Sequence, residues 1–76
     1  GELLAAFRFA RRRRLGVFAT ASSSTDPQVL RNRHLGSLAR AGFAMAICQK
    51  VLAVANREDA EILIDALTSS EPHPGL

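Results

Sequence analysis

Apolar residues recur along this chain every three or four positions and never in strict alternation, a spacing that predicts helices and no strands. Leu3, Phe7 and Ala10 set the stripe of a first helix over residues 2–15, with Leu4 and Leu15 on its flank. Gly16 is its natural stop. Arg14 projects near the stripe and is expected to snorkel at the helix end, where a cation suits the dipole. Phe9 points away from the stripe. It is either a partly exposed aromatic or a second buried face that packs on something upstream.

"VFATASSST", residues 17–25, is small and polar after Phe18 and predicts a loop, with Phe18 folded back as a plug on the core. Thr25 or Asp26 caps a second helix, with Pro27 in its first turn. Leu30, His34, Leu35, Leu38 and Ala41 form its stripe, Arg33 and Arg40 lie opposite, and Gly42 ends it. Phe43, Ile47, Val51 and Val54 form the stripe of a third helix, flanked by Cys48 and Leu52. The link through Gly42 is short, so the second and third helices are expected to make a tight angular pair. Asn56 caps a fourth helix. Ala60, Leu63, Ile64 and Leu67 face inward there, Glu58, Glu61 and Asp65 make an acidic outer face, and Ile62 lies off the stripe as a contact point. "TSSEPHPGL" has two prolines and no periodicity. The expected fold is all-α: a small module of three to four helices in residues 1–67, then a flexible, disordered tail in residues 68–76.

Charge sharpens this picture. The chain has 76 residues and a net charge of +3, but residues 1–50 carry nine basic side chains against Glu2 and Asp26, a balance of +7. Residues 51–76 carry Arg57 against five acids, a balance of −4. Nine of the ten basic residues are arginine, the side chain that grips carboxylates and phosphates with a planar fork. A GC-rich coding sequence would enrich arginine in the same way. A core this small gains from contact with a neighbour, and Phe9 or Ile62 is where self-association would be expected. Gly1 in place of Met reads as a cut or processed start. The apolar opening has no basic leader and no cleavage site, and no apolar run is long enough to span a membrane. The one cysteine, Cys48, allows no internal disulfide, which fits a reducing, cytoplasmic setting.

Chemistry-bearing residues are few. His34 sits among leucines and reads as a core or boundary histidine with one hydrogen bond. His73 falls in the tail. Cys48 reads as a small buried apolar group. Two histidines and one cysteine match no standard metal spacing, and there is no Gly-rich phosphate loop. No catalytic residue, metal site or cofactor is expected.

The arginines are the remaining signal. Arg11, Arg12, Arg13 and Arg14 are consecutive, with no acid interleaved to form pairs along the helix. Arg8, Arg31, Arg33, Arg40 and Lys50 add to one positive region, which suits an acidic protein surface or DNA phosphates. A solvated charged helix end is the plain alternative. A helix-turn-helix from the second and third helices is poorly equipped to read bases, because the third helix offers only Gln49 and Lys50.

Two families come into view. "AGFAMAICQKVLAVANREDAEILIDAL" is similar to a ubiquitin-associated domain, with Gly42-Phe43 as the loop that meets a partner. "AFRFARRRRLG" followed by "RNRHLGSLARAGFAMAICQKVL" resembles the C-terminal region of RecX family regulatory proteins over about residues 5–67. The matching positions are Ala10 to Gly16, Leu38 with Gly42-Phe43, and Val51-Leu52. The chain departs from that pattern at Val17-Phe18, where the family carries a proline and an aromatic. It departs again at Ala46, Gln49 and Lys50, where acidic and basic residues are usual. The resemblance implies tandem three-helix repeats. It also implies a non-catalytic protein that binds the RecA filament on DNA and inhibits recombinase activity in DNA repair and the SOS response. Arg8, Arg11, Arg12, Arg13, Arg33, Arg40 and Lys50 would then be the docking residues, on RecA side chains or DNA phosphates, with Arg14 partly structural.

Overall fold

The computed structural model describes residues 1–19 and 26–70. Helix α1 spans Glu2–Arg13, α2 Pro27–Arg40, α3 Met45–Leu52 and α4 Arg57–Ser70, with a single 3-10 turn at Gly16–Phe18. No strand occurs among the described residues, so the chain is all-α as its periodicity predicts.

The starts of α2, α3 and α4 each have a polar side chain that accepts from a backbone N–H. Asp26 accepts from the Gln28 N–H at 2.8 Å, and Pro27 occupies the first turn of α2. Asn56 Oδ1 accepts from the Asp59 N–H at 2.8 Å at the head of α4. The opening of α3 is capped from a distance, because Glu2 Oε2 accepts from the Ala44 N–H at 3.0 Å. Both acids of the basic half are therefore committed to helix starts, where negative charge suits the dipole.

The core forms where α3 lies against both α1 and α2. Phe7, Leu38 and Cys48, one from each of these helices, are the largest fully buried side chains. Full burial of a Phe or Leu side chain stabilises by roughly 1.5–3 kcal/mol. Ala6 and Ala10 are fully buried too, and their small size lets neighbours approach α1 closely. Helix α4 packs against α1 and the 3-10 turn, burying Ala60 and Ile64. Phe18 is buried beneath it, the plug expected of it.

Several expectations need correction. The first helix ends at Arg13 rather than at residue 15, because Arg14 adopts the left-handed conformation with φ +58°. The Leu15 N–H then bonds to the Ala10 carbonyl at 2.8 Å and the Arg14 N–H to Arg11 at 3.4 Å, a Schellman closure. Leu15 and Ala10 are both buried beneath that closure. Arg14 is thus structural through its backbone, and its side chain is exposed rather than laid along the stripe. In α2, Ala41 lies beyond the last turn and is exposed; burial falls on His34 and Leu38. In α3 the centre of the buried face is Cys48 with Val51, while Phe43 sits in the link before the helix. Leu63 is 39% exposed, because α4 meets only one side of the bundle. Thr68–Ser70 continue α4, and the Thr68 hydroxyl donates to the Ile64 carbonyl at 2.7 Å; the expected tail from residue 71 lies outside the described residues.

Gly16, two residues after Arg14, has φ +60°, and a Cβ there would stand 3.1 Å from Leu52 Cδ2. The Leu-Gly pair thus has a physical cause, with Leu15 filling the core and Gly16 turning the chain where a side chain is strained. Arg14 bears the same backbone demand without being glycine. Arg14→Gly is expected to stabilise by about 1 kcal/mol, a melting-temperature rise of roughly 4–8 °C for a domain this size. Arg14→Ala removes the charge but keeps the strain and should leave the melting temperature nearly unchanged. Thermal unfolding followed by circular dichroism compares the two, and equal shifts would contradict the assignment.

Candidate functional site

The arginines sort by what their side chains meet. Arg11 does not stand in an acid-free field: its Nη1 lies 3.0 Å from Glu61 Oε1 on α4, with both side chains nearly half exposed. Such exposed pairs contribute about 0–1 kcal/mol. Arg8 reaches Thr68 Oγ1 at 3.5 Å, the far limit of a hydrogen bond. Arg31 donates to the Leu52 carbonyl at 3.2 Å, tying α2 to the end of α3. Arg57 lies over the Phe18 ring, 5.8 Å from its centroid. The acidic outer face of α4 therefore turns one acid back onto α1, a pairing of residues 50 positions apart.

Arg12, Arg33, Arg40 and Lys50 are exposed and meet no acidic group among the described residues. Arg13 is exposed as well, with its guanidinium 5.4 Å from the Phe9 ring centroid. Phe9 packs edge-on against Phe43, with centroids 5.7 Å apart and planes at 65°. Phe9 is half-buried, and the ring it meets is Phe43 inside the chain. Phe43 itself sits in the link between α2 and α3 and is half-buried. Lys50 and Gln49 are exposed on α3.

The ends of α1 and α2 border an open cleft of about 430 Å³ lined by Phe9, Arg13, Leu15, Ser37, Arg40 and Ala41. Two arginines and a serine share this lining with Phe9, Leu15 and Ala41. Of the expected docking residues, Arg13 and Arg40 are brought to this one cleft; Arg12, Arg33 and Lys50 do not line it. Ser37, Leu15 and Ala41 were not legible as lining from spacing alone. Their proximity depends on the crossing of α1 and α2, and Phe9's position off its stripe was the single local signal.

A smaller cleft of about 190 Å³ lies beside Gly16, Pro27, Leu30, Arg31, His34 and Leu52. His34 is buried, and its Nδ1 accepts from the Gly16 N–H at 2.9 Å. This is the single hydrogen bond expected of it, and it requires an unprotonated Nδ1. Cys48 is fully buried, its thiol donates to the Phe43 carbonyl at 3.6 Å, and burial pushes its pKa up. Neither cleft is lined by both His34 and Cys48. No group of three or more His, Cys, Asp or Glu able to hold a metal ion occurs among the described residues, and no described helix is long and apolar enough to cross a membrane. Comparison of the chain with family models, curated proteins and solved structures finds no match.

Burial, and secondarily the charge of Arg33, lowers the His34 pKa below its ordinary 6.5. The unfolded chain therefore binds a proton more readily than the folded one, and stability rises with pH. The contribution is fully present above pH 6.5 and is lost as pH falls through the lowered folded value. Urea unfolding at pH 7.5 and pH 5.5 should show the wild type less stable at the lower pH, whereas His34→Asn, which keeps an acceptor facing Gly16, should show a flatter dependence. A wild type equally stable at both would refute the role.

Proposed function

We propose that this chain is a non-catalytic docking module that binds an acidic or phosphate-bearing surface through its exposed arginines. The observation that supports this is the fate of the acids in the basic half. Glu2 and Asp26 are both engaged at helix starts, so Arg12, Arg13, Arg33 and Arg40 project with no acidic partner among the described residues. An unneutralised field of this kind raises the local concentration of anionic partners and speeds encounter. The resemblance of "AFRFARRRRLG" and its downstream helices to RecX proteins makes the RecA filament on DNA the specific surface, and restraint of the recombinase the specific outcome. The packing of α3 against α1 and α2 suits a three-helix repeat, with α4 laid on α1.

A ubiquitin-associated-like module fits less well, because α4 packs on α1 and the 3-10 turn rather than on the α2–α3 pair. A base-reading helix-turn-helix fits less well again, because α3 exposes Met45, Ala46, Gln49 and Lys50 and no arginine.

Replacing Arg12, Arg13 and Arg40 together by Ala is expected to weaken filament binding by about tenfold at low salt, at roughly 0.2–1 kcal/mol per exposed charge contact. Arg11→Ala alone should do less, since Glu61 already holds that side chain. Binding of the wild type and variants to RecA filaments and to bare single-stranded DNA across a salt series measures this. Unchanged filament binding in the triple variant at low and moderate salt sinks the proposal. Equal affinity for filament and bare DNA reduces it to a general nucleic-acid contact.

A further inference from the structure

We infer that the cleft between the last turns of α1 and α2 is a recognition pocket for an acidic peptide segment that carries an aliphatic side chain beside one carboxylate. This rests on reading the arginine surface as a docking surface, and it names the partner group: protein rather than nucleic acid.

Charge sets the valence of the occupant. Arg13 and Arg40 bring two positive charges to the lining. The cleft is bounded by the C-terminal ends of two helices, each worth roughly half a negative charge. The balance is about one positive unit, matched by a single carboxylate. A dianion would face two helix ends of the wrong sign, since phosphate sites are built on helix N-termini. Arg11 adds little here, because Glu61 pairs with it outside the lining.

The lining separates peptide from nucleic acid. A nucleotide strand binds such grooves by stacking bases on open aromatic faces. The one aromatic ring in this cleft, Phe9, is half-buried, carries the Arg13 guanidinium over one face and is held edge-on by Phe43. The remaining apolar lining, Leu15 and Ala41, is aliphatic. A leucine-like side chain can settle there, while a base finds no platform. The Phe9 contact also prepares Arg13. A cation–π contact consumes no hydrogen-bond donor, so the guanidinium N–H groups stay available to a carboxylate. Holding it there before binding reduces the side-chain entropy lost on association. Ser37 also lines the cleft, and its hydroxyl is a further hydrogen-bond donor.

An amide-proton NMR titration of the full chain with N-acetyl-Gly-Leu-Asp-Gly-amide tests this directly. The expected result is that the amides of Leu15 and of residues 37–41 shift. Affinity should fall about tenfold when the peptide Asp becomes Asn, or when Arg13→Gln or Arg40→Gln removes one charged hydrogen-bond donor from the protein. Replacing the peptide Leu by Gly should weaken binding comparably, and Glu58→Gln, on the far acidic face, should have no effect. The amide spectra report whether each variant is folded, and Arg13→Lys, which keeps charge but loses the fork, should bind between wild type and Arg13→Gln. Three results would overturn the inference: no shift of these amides at millimolar peptide, equal binding of the Asn peptide, or tighter binding of oligothymidylate at the same amides. The titration contains no filament. Failure to bind RecA with peptide binding intact would reject the filament reading alone. Filament binding that survives Arg13→Gln and Arg40→Gln but not Arg12→Ala and Arg33→Ala would reject this cleft as the docking point and leave the filament reading standing.

Discussion

The closure of α1 is the constraint on which the rest of this small protein depends. One backbone reversal, Arg14 at φ +58° and Gly16 at φ +60°, ends the helix, drives Leu15 into the core and starts the turn that buries Phe18. The Gly16 N–H is fixed in place by His34 Nδ1, so the closure of α1 and the middle of α2 are bonded directly. A buried donor left without a partner costs about 1–3 kcal/mol, a large fraction of what a domain this size has to spare. That corner ties α1 directly to α2, and α3, packed against both, sets the rest of their arrangement.

The same corner governs what the arginines can do. A helix that ends at Arg13 sends its last side chains outward in different directions, and each meets a different environment. Arg11 faces α4 and finds Glu61, Arg13 lies across Phe9, and Arg12 projects to solvent. Four consecutive arginines are therefore four separate physical situations: one paired, one stacked, one exposed and one left-handed. A positive region survives because the nearby acids are consumed elsewhere. Glu2 holds the start of α3 and Asp26 the start of α2, each at a helix pole that favours negative charge. Capping thus separates charge within the molecule, leaving cations at helix C-termini with few anions beside them.

The two sulfur and imidazole groups, which would be the first suspects for chemistry, are used for folding. His34 accepts a backbone hydrogen bond and Cys48 fills the centre of the core against Phe7 and Leu38. Neither lines the Arg13–Arg40 cleft, whose polar side chains are the two arginines and Ser37. Such a set can hold an anion and orient it.

The sequence alone determined the helices, most of their caps and the plug at Phe18, because periodicity, Asp26-Pro27 and Asn56 act over one or two turns and carry their own physics. It also showed the charge asymmetry and the single hydrogen bond of His34. What only the tertiary structure decided is which partners those side chains take. Arg11 and Glu61 are 50 residues apart, Glu2 and Ala44 42 apart, and Gly16 and His34 18 apart. Likewise, Phe9 meets Phe43 and Leu63 is left exposed because of how α1, α3 and α4 cross, which no local spacing encodes. Local pattern fixes which face of a helix is apolar, whereas the angle at which two faces meet is set by packing summed over the whole core.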